Sequence, residues 1–269
     1  MQYEVAMALG KLIQTHPANF LQVFSRELGG KIMEMQTPGR LASDRRSAVF
    51  VLDDIVEYLS ASQVEPWIGE IVPALVAACE TSQVVSPREQ LLDVANLNQA
   101  ASYGLGVCAA KFPSCIQQHV RRIYMALQAQ VSCPADLYND ESGFGHSVDN
   151  AASCMLKMAI ALQGTEHSKE FYLAWLGGMP MRYDVVECRA SCAELLAMVE
   201  ANRHELELGT INGLTRVVRI LAAVVATDMI EDDDTKRAVQ LLKRVQASME
   251  PNAFPSLVGE EWERLKALV

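Results

Sequence analysis

Three carboxylates, Asp53, Asp54 and Glu57, fall within one helical turn of each other in the stretch Phe50-Val51-Leu52-Asp53-Asp54-Ile55-Val56-Glu57. On a helix Asp53 and Glu57 share a face, and paired carboxyl groups can act as general acid and general base. No histidine or nucleophile stands at a fixed spacing from them, so an ion-pair or hydrogen-bond role between packed helices is the preferred expectation. Cys188 and Cys192 stand four apart and can face one metal ion. Both sit on an apolar stripe with no second pair nearby, which favours core packing. The five histidines, His16, His119, His146, His167 and His204, are scattered and form neither H-E-x-x-H nor a recognisable triad. Glu231-Asp232-Asp233-Asp234 can hold a cation, but fits better as the acidic first turn of a helix.

Gly104-Leu105-Gly106-Val107-Cys108-Ala109 spells G-x-G-x-x-A, a dinucleotide-binding pattern. Such a loop follows a buried strand and opens a helix. Here Leu97, Ala101, Leu105, Cys108 and Phe112 form an apolar ridge running straight through the glycines. That spacing predicts helix on both sides of Gly104 and Gly106. Each interior glycine costs a helix about 1 kcal/mol relative to alanine, and close approach by a neighbouring helix is the expected compensation. No cofactor is expected.

The elements that carry these residues read as helices throughout. Val49, Leu52, Ile55, Val56 and Leu59 make one stripe; Val185, Cys188, Cys192, Leu195, Leu196 and Val199 make another; Leu214, Val217, Val218, Leu221 and Val225 make a third. All follow the i, i+3, i+4, i+7 template rather than alternation. Proline and glycine punctuation predicts helices at 2–14, 17–36, 43–60, 65–80, 87–111, 113–131, 147–163, 167–177, 183–202, 210–227, 234–249 and 256–268, with the longest loop at 132–145. Taken in pairs they give six hairpins, 1–36, 43–80, 87–131, 147–177, 183–227 and 234–268. Helical pairs at this interval predict an all-α HEAT-repeat solenoid spanning residues 1–269, because one pair cannot bury both apolar faces alone. A globular helical bundle is the alternative.

Composition narrows the function classes. Half of the 269 residues are hydrophobic, and Gly (15) and Pro (10) are too few for a strand-rich sandwich. No apolar run reaches the ~18 residues of a membrane span, and Met1-Gln2-Tyr3-Glu4 lacks the basic start of a signal peptide. The chain reads as soluble and intracellular. Its net charge of −10 opposes a phosphate backbone and attracts a basic protein partner. Seven cysteines, an odd number without a C-x-x-C pair, argue against a disulfide framework or a zinc ribbon.

Several stretches carry a resemblance. Gln99-Ala100-Ala101-Ser102-Tyr103-Gly104-Leu105-Gly106-Val107 resembles the "RQAAxYGLGV" helix of importin-beta-type karyopherins, especially the subgroup that imports ribosomal proteins and histones. Residues 45–57 are similar to that subgroup's "ALxxFDDxxE" helix, and Asp149-Asn150-Ala151-Ala152-Ser153-Cys154 to its "xNAxxN" helix start, with Cys154 in place of the second Asn. Trp175-Leu176-Gly177-Gly178-Met179-Pro180-Met181 looks like "WLxxLPL", with Met in both later Leu positions. The four stand in family order over about 43–208, toward what is the C-terminal end of that longer family.

The resemblance implies a non-enzymatic nuclear transport receptor shuttling between cytoplasm and nucleus. Basic protein cargo docks on inner B helices and phenylalanine-glycine nucleoporins wedge between outer A helices. Ran GTPase is bound mainly through repeats absent from this chain. Assigning 17–36, 65–80, 113–131, 167–177, 210–227 and 256–268 as B helices makes Trp67, Glu70, Glu170 and Trp175 cargo-binding candidates, since an acid beside an aromatic ring can hold Lys or Arg. Core packing is the competing role of Trp175. Asp53, Asp54, Glu57, Gly104, Gly106 and Asn150 are candidates for contacts between repeats, Asn150 as a cap or bridge. Another HEAT scaffold, such as a phosphatase regulatory subunit, and an all-helical enzyme are the alternatives.

Overall fold

The computed structural model describes residues 2–81, 91–134, 143–225, 227–250 and 252–268. All regular structure among them is helical, with no strand among the described residues. The chain divides into two compact units, Met1–Phe171 and Tyr172–Val269.

In the first unit the helices are α1 (Gln2–Thr15), α2 (Pro17–Val23), α3 (Gly29–Met35), α4 (Ala42–Tyr58), α5 (Ala61–Cys79), α6 (Leu91–Lys111), α7 (Pro113–Gln117), α8 (Val120–Val131) and α9 (Phe144–Ala161). Helix α10 (Glu166–Gly178) carries the chain into the second unit. The apolar stripes decide the packing. Leu52, Ile55 and Val56 of α4, Leu75 of α5, Leu97 and Leu105 of α6, Leu127 of α8 and Met155 of α9 are all fully buried. Burial of each such side chain is worth about 1.5–3 kcal/mol. Helix α1 packs on α4, α4 on α6, and α6 on α9, while α5 packs on α6 and α8, and α8 on α9. Two rows therefore run through this unit, one made of α1, α4, α6 and α9, the other containing α5 and α8.

In the second unit, α11 (Val185–Glu200) packs on α13 (Asp232–Ala247), and α12 (Ile211–Val224) packs on α13 and α14 (Ala253–Val258). Asp184 caps α11 by accepting the Glu187 N–H at 3.1 Å, and Thr210 caps α12 by accepting the Gly213 N–H at 3.0 Å. The 231–234 acidic run opens α13 as expected. Two of its members find partners on the same helix, Asp233 with Lys236 at 2.7 Å and Asp234 with Arg237 at 2.5 Å.

Several expected boundaries move. Helix 65–80 starts earlier, at Ala61, because the Gln63 side chain accepts the Ser60 N–H at 3.0 Å and fixes the first turn; Pro66 is an interior residue, not the helix start. The 113–131 helix breaks at His119, whose φ −112° and ψ 0° leave the α region. The 17–36 helix is continuous but carries a π turn at Phe24–Leu28. The 210–227 helix stops at Val224, since Val225 is extended at ψ 135°. The 256–268 helix is replaced by α14, a 3-10 turn at Gly259–Glu261 and the short α15 (Trp262–Leu265), because Gly259 takes φ +72°. Residues 87–90 of the expected 87–111 helix and residues 135–142 of the expected loop lie outside the described residues.

Candidate functional site

The carboxylates singled out in the sequence sit on α4 between two neighbouring helices. Asp53 is 4% exposed, and both its carboxyl oxygens are closed to solvent and take no hydrogen bond. It faces α6 at Gly104: a methyl group there would stand 1.8 Å from Asp53 Oδ1. Asp54 faces the other way, toward α1, where a methyl on Gly10 would stand 2.2 Å from its Oδ2. Glu57, one turn on, accepts the Tyr103 hydroxyl of α6 at 2.9 Å. Lys157 of α9 lies 5.3 Å from the centre of that tyrosine ring, a cation–π contact. Thus α4, α6 and α9 are tied by one chain of side chains, Glu57–Tyr103–Lys157. Lys111, at the end of α6, donates to the carbonyls of Val56 at 2.7 Å and of Glu57, and closes the C-terminus of α4.

Burial governs the protonation of this group. It pushes Asp53 well above the carboxylate range, with the charges of Asp54 and Glu57 adding to it. Asp54 is pushed up to about 6, again by burial first and by Glu57 second. Buried carboxyl groups without donors favour the protonated, neutral form. A raised acid pKa means the folded protein holds its proton more tightly than the unfolded chain. The stabilisation is complete below the unfolded value of 3.8 and is lost as pH rises through about 6. Glu200, Glu205 and Asp233 are shifted down by their basic partners and act in the opposite sense at lower pH. The readout is therefore a comparison. Between about pH 4.5 and 7 the wild-type chain should lose about 1 kcal/mol more stability than Asp54→Asn, a figure reduced for Asp54's partial exposure. Urea midpoints at both pH values measure it, and parallel pH profiles would refute it.

Gly106 faces α9, where a methyl would meet Lys157 Cδ at 2.8 Å and Cys154 Cα at 3.7 Å. The two glycines of the G-x-G-x-x-A stretch thus lie in mid-helix, on different contacts of α6, with no strand or loop beside them. Asn150 is not at a helix start, since α9 begins at Phe144 behind Gly143 at φ +70°. The cap role is corrected accordingly: its side-chain amide donates to the His146 carbonyl of its own helix at 3.0 Å.

The cargo candidates divide. Trp67 is half-buried, edge-on to Phe24 with ring centres 5.0 Å apart, and Glu70 is exposed one turn on. Glu170 is exposed beside His167, 3.4 Å away. Trp175 has no exposed surface and packs edge-on to Tyr172 at 6.3 Å, so its direct contact with cargo is replaced by the core role. Cys188 and Cys192 are buried with sulfur atoms 4.0 Å apart. Among the described residues no group of three or more His, Cys, Asp and Glu is arranged to hold a metal ion, and no helix is long and apolar enough to cross a membrane.

Sequence reading missed a buried polar network around the C-terminus of α5. Asn98, 1% exposed, donates to the carbonyls of Ala78, Cys79 and Thr81 at 3.2, 3.0 and 3.3 Å. Arg45 reaches the Ala77 carbonyl at 3.0 Å and Thr81 Oγ1 at 2.8 Å. The Gln130 carbonyl oxygen accepts Ser102 at 3.1 Å and Ser147 at 3.2 Å. The only signal was a set of polar residues interrupting apolar stripes. No protein-family model matches the chain.

Proposed function

We propose that this chain is a HEAT-type solenoid segment of a nuclear transport receptor of the importin-beta kind. It acts by recognition rather than catalysis, holding basic protein cargo and phenylalanine-glycine nucleoporin repeats. The observation that supports this reading best is the row α1, α4, α6 and α9, in which each helix packs on the next. Stacked hairpins produce such a row, and small rotations between them change the pitch of the stack. The same helices carry the Asp53–Gly104 and Glu57–Tyr103 contacts within the stretches that resemble the karyopherin helices.

An apolar cavity of about 290 Å³ lies between α1, α3 and α4, lined by Val5, Leu9, Ile32, Met35 and Val51 among others. It suits a phenylalanine side chain, and Val5 at its rim is 53% exposed. The net charge of −10 suits a basic segment.

Binding of the chain to a labelled phenylalanine-glycine peptide and to a lysine-rich peptide, at two salt concentrations, tests the proposal. The first should be bound with little salt dependence, and the second should weaken as salt rises. Val5→Asp should reduce the first by about tenfold, through placing a charge at an apolar contact, and leave the second unchanged. Indifference to both peptides would end this reading in favour of another HEAT scaffold.

A further inference from the structure

The second unit holds a cleft of about 730 Å³ whose chemistry is opposite to that of the chain as a whole. Its floor is apolar, with Met179, Ile220 and Val258 each less than a tenth exposed. One wall is the polar face of α12, where Thr215, Arg216 and Arg219 follow each other up the helix. Arg216 is exposed and has no hydrogen-bond or ion-pair partner among the described residues. Arg219 donates its Nε to the Leu257 carbonyl at 2.9 Å, a neutral acceptor that leaves the charge uncompensated. Of the two acids at the opposite wall, Glu261 is paired with Arg264 at 2.9 Å, so Glu260 alone opposes the arginines.

We propose that this cleft docks an acidic peptide segment of a partner protein, its carboxylates pairing with Arg216 and Arg219 and its apolar side chains resting on the floor. Guanidinium groups present paired donors that match a carboxylate. A lone phosphate fits less well, because the cleft is wide and Arg219 already spends one donor on Leu257. Nucleic acid fits less well still. Among the described residues no aromatic side chain lines the cleft to stack a base, and a net charge of −10 repels a long polyanion more than a short acidic peptide. The chain's own acidic run at 231–234 is already engaged: Glu231 pairs with Arg189, Asp233 with Lys236 and Asp234 with Arg237.

Fluorescence anisotropy on the full chain tests the proposal, using a labelled glutamate-rich peptide with interspersed leucines. The same peptide with lysine for glutamate, inorganic phosphate and oligo-dT serve as comparisons. The acidic peptide should bind saturably and the lysine version should not compete with it. Arg216→Glu should weaken binding by about tenfold or more through charge reversal, while Arg216→Lys, which keeps the charge but not the paired donors, should weaken it less. Circular dichroism should be unchanged in both variants, because Arg216 holds no structural contact. Binding of the phenylalanine-glycine peptide should also be unchanged, which separates this proposal from the transport reading. Absence of binding, or equal binding by Arg216→Glu, overturns it. So does displacement by phosphate at peptide-like concentrations, which would make the cleft a simple anion site. Tighter capture of oligo-dT through the same arginine would make it a nucleic-acid site and is equally fatal.

Discussion

Gly104→Ala should destabilise the first unit by about 2–3 kcal/mol, the range of a severe overpacking change, and Asp53→Ala should recover most of that loss. Alanine ordinarily strengthens a helix by up to about 1 kcal/mol over glycine, so a net loss requires a steric cause. The new methyl would stand 1.8 Å from Asp53 Oδ1, 2.8 Å from its Cγ and 3.1 Å from Leu75 Cδ1. Asp53 has little room to retreat, being almost fully buried on a helix packed against α6. Truncating it removes the obstructing atoms, and the helix preference of alanine then reappears. A double-mutant cycle in urea isolates the coupling between the two positions. Additive effects would show that Asp53 does not set the distance between α4 and α6.

Asn98→Leu should cost about 2–4 kcal/mol, although leucine has nearly the shape of asparagine and is more apolar. The last carbonyls of α5 have no partner within the helix; Ala78 accepts the Thr81 N–H at 3.2 Å and Cys79 the Gln130 amide at a long 3.4 Å, and Asn98 supplies the closer donor to Cys79 and further donors to Ala78 and Thr81. Removing a donor while leaving buried acceptors in place incurs their desolvation, about 1–3 kcal/mol for such a group. Asn98→Asp should be worse at neutral pH, because it turns the same acceptors toward a buried negative charge. Thermal and urea unfolding of both variants measure this. A leucine variant as stable as wild type would mean that the Thr81 N–H and the Gln130 amide suffice for the α5 terminus.

The helices themselves were legible because their buried positions recur with the helical period. Val49, Leu52, Ile55 and Val56 are all in the core of the first unit, as their spacing implied. The close approach at Gly104 and Gly106 could also be read, since two glycines inside an unbroken apolar ridge need a reason. The direction of approach could not. That Gly104 meets Asp53 and Gly106 meets α9 depends on which helix lies on which side of α6. Breaks within helices were least legible: nothing in Gln118-His119 announces an end, and Gly259 looks like many tolerated helix glycines until its φ is known. Trp175 shows the same limit, for an aromatic residue within a helix serves a surface or a core equally well in one dimension. The cleft at Arg216 escaped notice because its walls come from segments about forty residues apart.

The π turn at Phe24–Leu28 has a bearing on how this chain can be aligned with any other. Buried positions along that helix fall at Phe20, Phe24, Gly29, Ile32 and Gln36, a stride of five at the turn and of three or four elsewhere. The wide turn therefore absorbs one residue more than a regular helix would, and each residue corresponds to about 100° of rotation. The same chain wound regularly would present Lys31 where Ile32 is buried and would carry off the amide that Gln36 gives to the Arg45 carbonyl, whereas a chain one residue shorter here keeps the counterparts of both in place without the wide turn. Related sequences should thus be matched with a one-residue gap inside an unbroken helix, where gaps are normally penalised most.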